Sequence, residues 1–332
     1  MIGQETYEIE RKVAAILKVL SDSAEPLGGR IISRRLREQG IELGERAVRY
    51  HLKLMDERGL TCTVGFRDGR LITQPGIEEL ESSLVCDKIG FAISRIELLS
   101  YLTSFDLDSR IGAVPIDVSI FSKEEFDQAL DVMKDVFDAG ICFSNLIAVA
   151  SEGERLGELV IPQGKIGFAT VCSAMVNGLL LKSGIPNDPR FGGILQIRNY
   201  SPSRFVDIIE YGGSTIDPFG VFIAGGMTNV AGVVQRGEGK ILASLNEIPL
   251  ASKSAAESII KKLKEINFFN LDVVGKPGES VCEIPVRPSN VGLVFSSGLN
   301  AVAAAAEKGI EVASRPLNGV LDIGDLHSFG SL

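Results

Sequence analysis

Over residues 5–21 the apolar positions Ile9, Val13, Ile16, Leu17 and Leu20 recur three and four residues apart, which predicts an amphipathic helix. Pro26, Gly28 and Gly29 end it. A second helix is predicted over 30–38 with Ile31, Ile32 and Leu36 inward, and a third over 45–58, closed by Gly59. The third turns Val48, Leu52 and Met55 inward and leaves Arg46, Arg49, Tyr50 and Lys53 outside. Strands over 60–64 and 71–73 follow, and the Asp68-Gly69 pair between them signals a hairpin whose tip carries Arg67 and Arg70. Further helices are predicted over 77–83 and 89–102. From 111 onward strands and helices alternate: a strand over 111–119, a helix over 123–137 with Ser122 as N-cap, strands over 146–150, 159–161 and 165–171, and a helix over 173–183.

The second part of the chain repeats itself. Residues 165–190 align without gaps onto 290–315, matching Gly167 with Gly292, Gly184 with Gly309, Ile185 with Ile310 and Arg190 with Arg315. Each copy follows an Ile-Pro pair and, further upstream, a strand and an amphipathic helix opening with Ser-Lys (Ser122-Lys123, Ser252-Lys253). The fold expected is α/β (α+β). A winged helix-turn-helix DNA-binding domain covers 1–84, and a duplicated α/β effector-binding and dimerisation domain covers 85–332, its repeat spanning about 111–190 and 238–316.

Three helices and a hairpin suit DNA, because a major groove admits one helix that must present long polar donors outward. Arg46, Arg49 and Lys53 share one stripe, and Arg67 and Arg70 are placed to reach phosphates or a minor groove. The whole chain of 332 residues has a formal net charge of −9, so any DNA contact is local. From Arg30 to Lys53 there are seven Lys or Arg against three Glu, while 1–84 as a whole carries 13 basic and 14 acidic residues. That balance implies modest affinity, a dimer, or both. The bland alternative is a helical interaction module with a solvated basic face.

Composition removes other classes. Five scattered cysteines, never in a CxxC pair, fit reduced thiols in a cytosol better than a disulfide framework or zinc ribbon. Two histidines, His51 and His327, leave too few ligands for a His-based metal site. The start lacks the apolar run of a signal peptide. The most apolar stretch, 219–234, is interrupted by Thr228, Asn229 and four glycines, so a soluble, cytoplasmic protein without membrane contact is expected.

Chemistry concentrates at the strand-to-helix junctions. Free N–H groups at a helix start favour carboxylate or phosphate, and hydroxyl and thiol side chains add donors. The first junction offers Thr170, Cys172, Ser173 and Asn177. Asn177 and Lys182 become Val302 and Glu307 in the second copy, so the first copy is favoured as the ligand site and the second as a structural relic. Residues 187–193 read as a loop in which Arg190, beside Gly192 and Gly193, grips a carboxylate, and the bend over 224–229 lines the same cleft. The alternative is a plainly capped helix start with glycines in turns. No GxSxG, Walker, GxGxxG or HExxH motif occurs, and Cys172, a thiol that a helix N-terminus would activate, has no His base, so no catalytic residue, metal or cofactor is expected.

The chain resembles the archaeal nitrogen-regulatory transcriptional repressors, the NrpR family. The likeness rests on the leading winged helix, the segment Arg95-Ile96-Glu97 to Phe105-Asp106, and the block from Gly167 to Gly193 that holds Cys172-Ser173, Asn177-Gly178, Gly184-Ile185-Pro186 and Arg190-Phe191. It implies a repressor of nitrogen-assimilation genes that binds palindromic operator DNA as a homodimer and is released by 2-oxoglutarate. It also implies the single effector-domain type, which works alone or with a second regulator subunit. The other readings are a regulator of a different anionic metabolite and a metabolic enzyme with an accessory helical domain.

Overall fold

The structure, a computed structural model, describes residues 2–23, 25–64, 69–82, 89–268 and 271–331. Internal contacts divide it into two units, Met1–Lys88 and Ile89–Leu332. Arg67 and Cys86 lie outside the described residues.

The first unit runs α1 (Ile2–Ser21), α2 (Gly29–Glu38), α3 (Glu45–Glu57), β1 (Thr61–Val64), β2 (Gly69–Ile72) and α4 (Gln74–Ser82). Ile16, Leu17, Leu20, Ile32, Leu36, Val48, Leu52 and Met55 close its core. Ile31, expected inside, is 40% exposed, because the turn of α2 already buries Gly29, Ile32, Ser33 and Leu36. Ser33 Oγ donates to the Leu43 carbonyl (2.7 Å) and ties the turn between α2 and α3. The chain leaves α3 through Gly59 at φ +72°, a left-handed stop that a side chain would oppose. β1 and β2 pair antiparallel, Thr61 opposite Ile72 and Val64 opposite Gly69.

The second unit opens with α5 (Phe91–Leu102). Two runs of the same order follow: β3 (Ala113–Ser122), α6 (Phe126–Asp138), β4 (Leu146–Ala150), β7 (Lys165–Val171), α7 (Ala174–Lys182) and β8 (Asp188–Arg198), then β10 (Gly239–Pro249), α10 (Lys253–Glu265), β11 (Asp272–Val274), β12 (Asn290–Ser296), α11 (Asn300–Glu307) and β13 (Val312–Arg315). Between and after them lie the small hairpin β5 (Arg155–Leu156) and β6 (Leu159–Val160), the strand β9 (Ser201–Glu210), the short helices α8 (Pro218–Ala224) and α9 (Val230–Arg236), and the edge pieces β14 (Val320–Asp322) and β15 (His327–Ser328).

Each run ends in the other's sheet. One sheet is ordered β13-β3-β7-β4-β15 and the other β11-β12-β10-β8-β9, all antiparallel. Each half is a split β-α-β unit that exchanges its last strand with its twin. The helices exchange partners too: α6 packs on α11, and α7 on α5 and α10. Alternation along the strands feeds two cores. Phe121 and Phe168 meet Met133 of α6 and Val302 of α11, while Ile116, Val118 and Val171 meet Met175 and Leu179 of α7 and Ile259 of α10.

Three local expectations change. Ser122 is the last residue of β3, and α6 begins only at Phe126, since Ser122 Oγ accepts the Glu124 N–H (3.4 Å) in a turn before the helix. The strand expected over 159–161 is two residues of the β5–β6 hairpin. Residues 188–193 are no loop but the start of the eleven-residue β8. Gly192 and Gly193 are small for packing: a Cβ would fall 2.8 Å from Pro218 Cβ at the first and 2.7 Å from the Asp207 carbonyl oxygen at the second.

Candidate functional site

The outer face of α3 is a stripe of exposed Arg46, Arg49, Tyr50 and Lys53, and Val48, Leu52 and Met55 anchor its inner face. Arg49 is held by Glu45 one turn earlier (2.9 Å), an exposed pair that orients the side chain and contributes little stability. His51 turns inward and is buried, its Nδ1 without a hydrogen bond. Burial, then the charge of Lys12, lowers its pKa and keeps it neutral. Arg70 is not a wing-tip group. Its side chain is 16% exposed, its Nε donates to Asp56 Oδ2 (2.8 Å), and Asp56 also accepts from Thr61 Oγ1 (2.6 Å). Arg70 is a strut between the wing and α3, because β2 starts at Gly69 and draws it back into the sheet.

In the second unit the first strand-to-helix junction forms the wall of a buried polar pocket. Cys172, Ser173 and Asn177 line it together with Asp117 of β3, Tyr211, Asp217 and, from β10, Ser244 and Asn246; Ile96 of α5 and Leu317 close it. Thr170 stands opposite Asp117 in the ladder, 1% exposed, with its Oγ1 unpartnered. Ser173 Oγ meets Ser244 Oγ at 3.5 Å. Asn177 Oδ1 accepts from Asn246 (2.6 Å) and Asn187 (2.7 Å), so this amide knits α7 to β10 and to the start of β8. The free space is about 20 Å³, room for one water molecule.

The other nominated residues lie elsewhere. Lys182 is exposed in the last turn of α7, the opposite end from the junction. Arg190 is already paired: its Nη1 donates to Glu247 Oε1 (2.5 Å), while Arg287 and Asn290 serve Glu247 Oε2 (2.7 and 2.9 Å) and Arg287 also binds Asp188. Burial pushes Glu247 up, but those hydrogen bonds and the two guanidinium charges overcome it and hold its pKa below the usual value. Neighbours along a strand point to opposite faces, so Asn246 faces the pocket while Glu247 carries the arginines away from it. The bend over 224–229 is also bound elsewhere. Thr228 Oγ1 and the N–H groups of Val230 and Ala231 donate to Glu307 (2.7, 2.7 and 3.1 Å), so Glu307 caps the start of α9. A wider groove of about 220 Å³ between α6, α9 and α11, rimmed by Asp131, Asp135 and Lys308, contains none of the nominated residues.

The pocket's electrostatics were not foreseen. Burial, offset in part by the Leu317 N–H, raises Asp117 to about 6; burial and then the charge of Asp117 raise Asp217 to about 7. Burial, then Asp117, lifts the Cys172 thiol well above its ordinary value, which overrides the helix N-terminus and leaves no thiolate nucleophile. The signals available in the sequence were a lone carboxylate inside the apolar run of β3 and an Asp-Pro pair before another apolar run. Asp217 is indeed the N-cap of α8, accepting from Phe219 (2.8 Å) and Gly220 (3.2 Å). Among the described residues no group of three His, Cys, Asp or Glu is placed to hold a metal ion, and no helix is long and apolar enough to cross a membrane.

Residues 89–328, the whole of this pocket included, match the family described as NrpR regulatory domains NRD1 and 2. The chain belongs to the NrpR family of nitrogen regulators. Residues 14–80 match the Ribonuclease R winged-helix domain, the fold of the first unit. Among NrpR relatives, the chain is 38% identical to the global nitrogen regulator NrpRI of Methanosarcina mazei, over 95% of this chain and 97% of that protein. It is 33% identical to the global nitrogen regulator NrpR of Methanococcus maripaludis over 89% of this chain and 51% of that one, so it spans about half that relative's length. A solved structure, a nitrogen repressor-like protein from Methanococcus jannaschii, superposes with a TM-score of 0.61 at 25% identity, over 72% of this chain and 98% of that one. The relatives are named as regulators. This member is a transcriptional regulator, not an enzyme, and the metabolic-enzyme reading is set aside.

Proposed function

We propose that this nitrogen-regulating repressor grips a palindromic operator as a homodimer through α3, and lets go when 2-oxoglutarate enters the pocket at the start of α7. The observation that carries the reading is the pairing of two features in one NrpR chain. One is a winged helix whose third helix keeps Arg46, Arg49 and Lys53 outside; the other is a regulatory unit whose junction residues Cys172, Ser173 and Asn177 gather in one buried polar pocket. Thr170, opposite Asp117 in the ladder but not in the pocket's lining, has an unused hydroxyl. Lys182 and Arg190 drop out of the ligand site.

Release needs two states that differ in affinity for the ligand. Shifting a population from mostly bound to mostly free takes about 5 kcal/mol of difference. A pocket with room for one water is the low-affinity state, and a five-carbon dicarboxylate selects one that is more open. The test is fluorescence anisotropy on duplexes selected from a random pool, with and without 2-oxoglutarate. Binding that the metabolite weakens supports the reading. Binding that no concentration of it alters overturns the effector, and no selectable duplex overturns the DNA-reading face.

A further inference from the structure

The pocket that is proposed to hold a dicarboxylate is lined by two carboxyl groups and by no Lys, Arg or His. Arg95 of α5 lies next to Ile96 of the wall, but its guanidinium is engaged by the Leu317 carbonyl (2.7 and 3.2 Å) and by Glu158 (3.1 Å). Arg190 and Arg287 lie on the far face of β10, bound to Glu247. A buried anion with neither cation nor donor to meet it carries a prohibitive desolvation cost, and two ionised carboxylates beside it would repel it further. Any anion held here is therefore met by neutral donors.

The geometry supplies them. Asp117 is 1% exposed; its Oδ1 accepts the Leu317 N–H (2.9 Å), the Cys172 thiol is a weak donor to the same carboxyl, and its buried Oδ2 meets no N–H or hydroxyl donor. Asp217 uses Oδ1 for both N–H groups of its helix cap, which leaves Oδ2 outside the cap. Each carboxyl thus has one oxygen committed as an acceptor and a second oxygen to carry a proton. We propose that Asp117 and Asp217 receive the ligand's carboxylate as hydrogen-bond donors, so that the anion enters the pocket together with protons. This rests on the effector reading above and adds to it the identity of the receiving groups and their coupling to pH.

The proton comes from solvent, settles on the free carboxyl oxygen and is shared in a short O–H···O⁻ bond to the ligand, a class of hydrogen bond about twice as strong as a neutral one. The groups facing the pair do not supply the charge instead. Cys172 and Tyr211 are neutral, both pushed up by burial first, and Ser173, Ser244, Asn177 and Asn246 of the lining, like Thr170 opposite Asp117 in the ladder, do not titrate. With the carboxyls at about 6 and about 7, the pocket holds part of its protons at neutral pH and must take up the rest as the anion binds. The sign follows: below pH 6 the donors are in place and affinity is flat, and above pH 7 it falls about tenfold per pH unit for each proton taken up. Leu317, at φ +55°, closes the pocket between Asp117 and Arg95; its N–H stays on Asp117 Oδ1 and leaves Oδ2 for the proton and the ligand.

The experiment is isothermal titration of the full chain with 2-oxoglutarate from pH 6 to 8.5, repeated in buffers of different ionisation enthalpy to count protons. The expected result is net proton uptake and the loss of affinity above pH 7. Asp117→Asn and Asp217→Asn keep an amide donor but cannot titrate, so each is expected to bind with fewer protons taken up and a flatter profile. Should these variants melt below the assay temperature, the proton count of the unaltered chain decides alone. Binding without proton uptake leaves the effector reading standing and overturns this proposal. No binding at any pH, and no effect on DNA, overturns both. Proton release with ammonium chloride as the probe, and none of the dicarboxylate bound, makes the pocket a cation site and overturns the donor role.

Discussion

At the scale of residues, four arginines nominated by position alone part company once their partners are known. Arg46 and Arg49 stand out from α3 into solvent, whereas Arg70 is locked to Asp56 and Arg190 to Glu247. The first pair is solvent-exposed, Arg49 held only by an exposed and weak pair with Glu45, and can be spent on phosphates or base edges, whereas the second already neutralises a buried or half-buried carboxylate. Arg49→Ala and Lys53→Ala are each expected to weaken duplex binding by about 1–3 kcal/mol in anisotropy titrations, with the melting temperature unchanged. Arg70→Ala is expected to do the reverse. It strands Asp56 beside Thr61, lowers the stability of the winged unit by roughly 1–2 kcal/mol in a urea melt, and leaves the DNA affinity of the folded fraction within twofold. Residue types were legible in the sequence. Whether a charge is spoken for was not, because its partner lies 14 residues away for Arg70 and 57 for Arg190.

At the scale of elements, periodicity served well wherever one face met one core. The strands Leu146–Ala150 and Lys165–Val171 and the stop of α3 at Gly59 lie where the pattern puts them. It failed where turn chemistry was unusual. The β8–β9 hairpin turns on Asn199 and Tyr200, both with positive φ (49° and 58°), a two-residue turn normally signalled by glycine. Tyr200 tolerates that conformation because its N–H donates to the Gly237 carbonyl (3.0 Å) and its ring lies where a Cβ on residue 237 would be, 2.5 Å from the ring atoms. The glycines of β8 read as a loop for the same reason: the pattern records small residues but not the atoms pressed against them. Exchange of the last strands has a consequence for folding. β8 completes the second sheet and β13 the first, so neither half can bury both faces of its own sheet. A fragment ending at residue 212 is expected to show no cooperative thermal transition by circular dichroism, while 89–332 melts as one unit. A cooperative melt of the shorter fragment would show that the exchange is dispensable.

At the scale of the whole molecule, a net charge of −9 is compatible with the proposed DNA-reading face because the positive charge is local: the segment from Arg30 to Lys53 has seven basic and three acidic residues. Binding is therefore expected to weaken steeply with salt, the slope of log K against log salt being about −0.9 for each phosphate neutralised. A flat profile between low and physiological salt would remove α3 as the reader. The sequence by itself determined most of the order of helices and strands as far as residue 183, the winged helix with its basic third helix, the gapless alignment of 165–190 on 290–315, and the junction residues worth watching. These are local or periodic properties, carried by neighbours a few positions apart. Only the tertiary structure decided the sign of the pocket. Asp117 and Asp217 are a hundred residues apart and meet because β3 and the cap of α8 converge on the start of α7, where burial, a property of distance and dielectric and not of residue type, turns two ordinary carboxylates into groups that hold protons near neutrality.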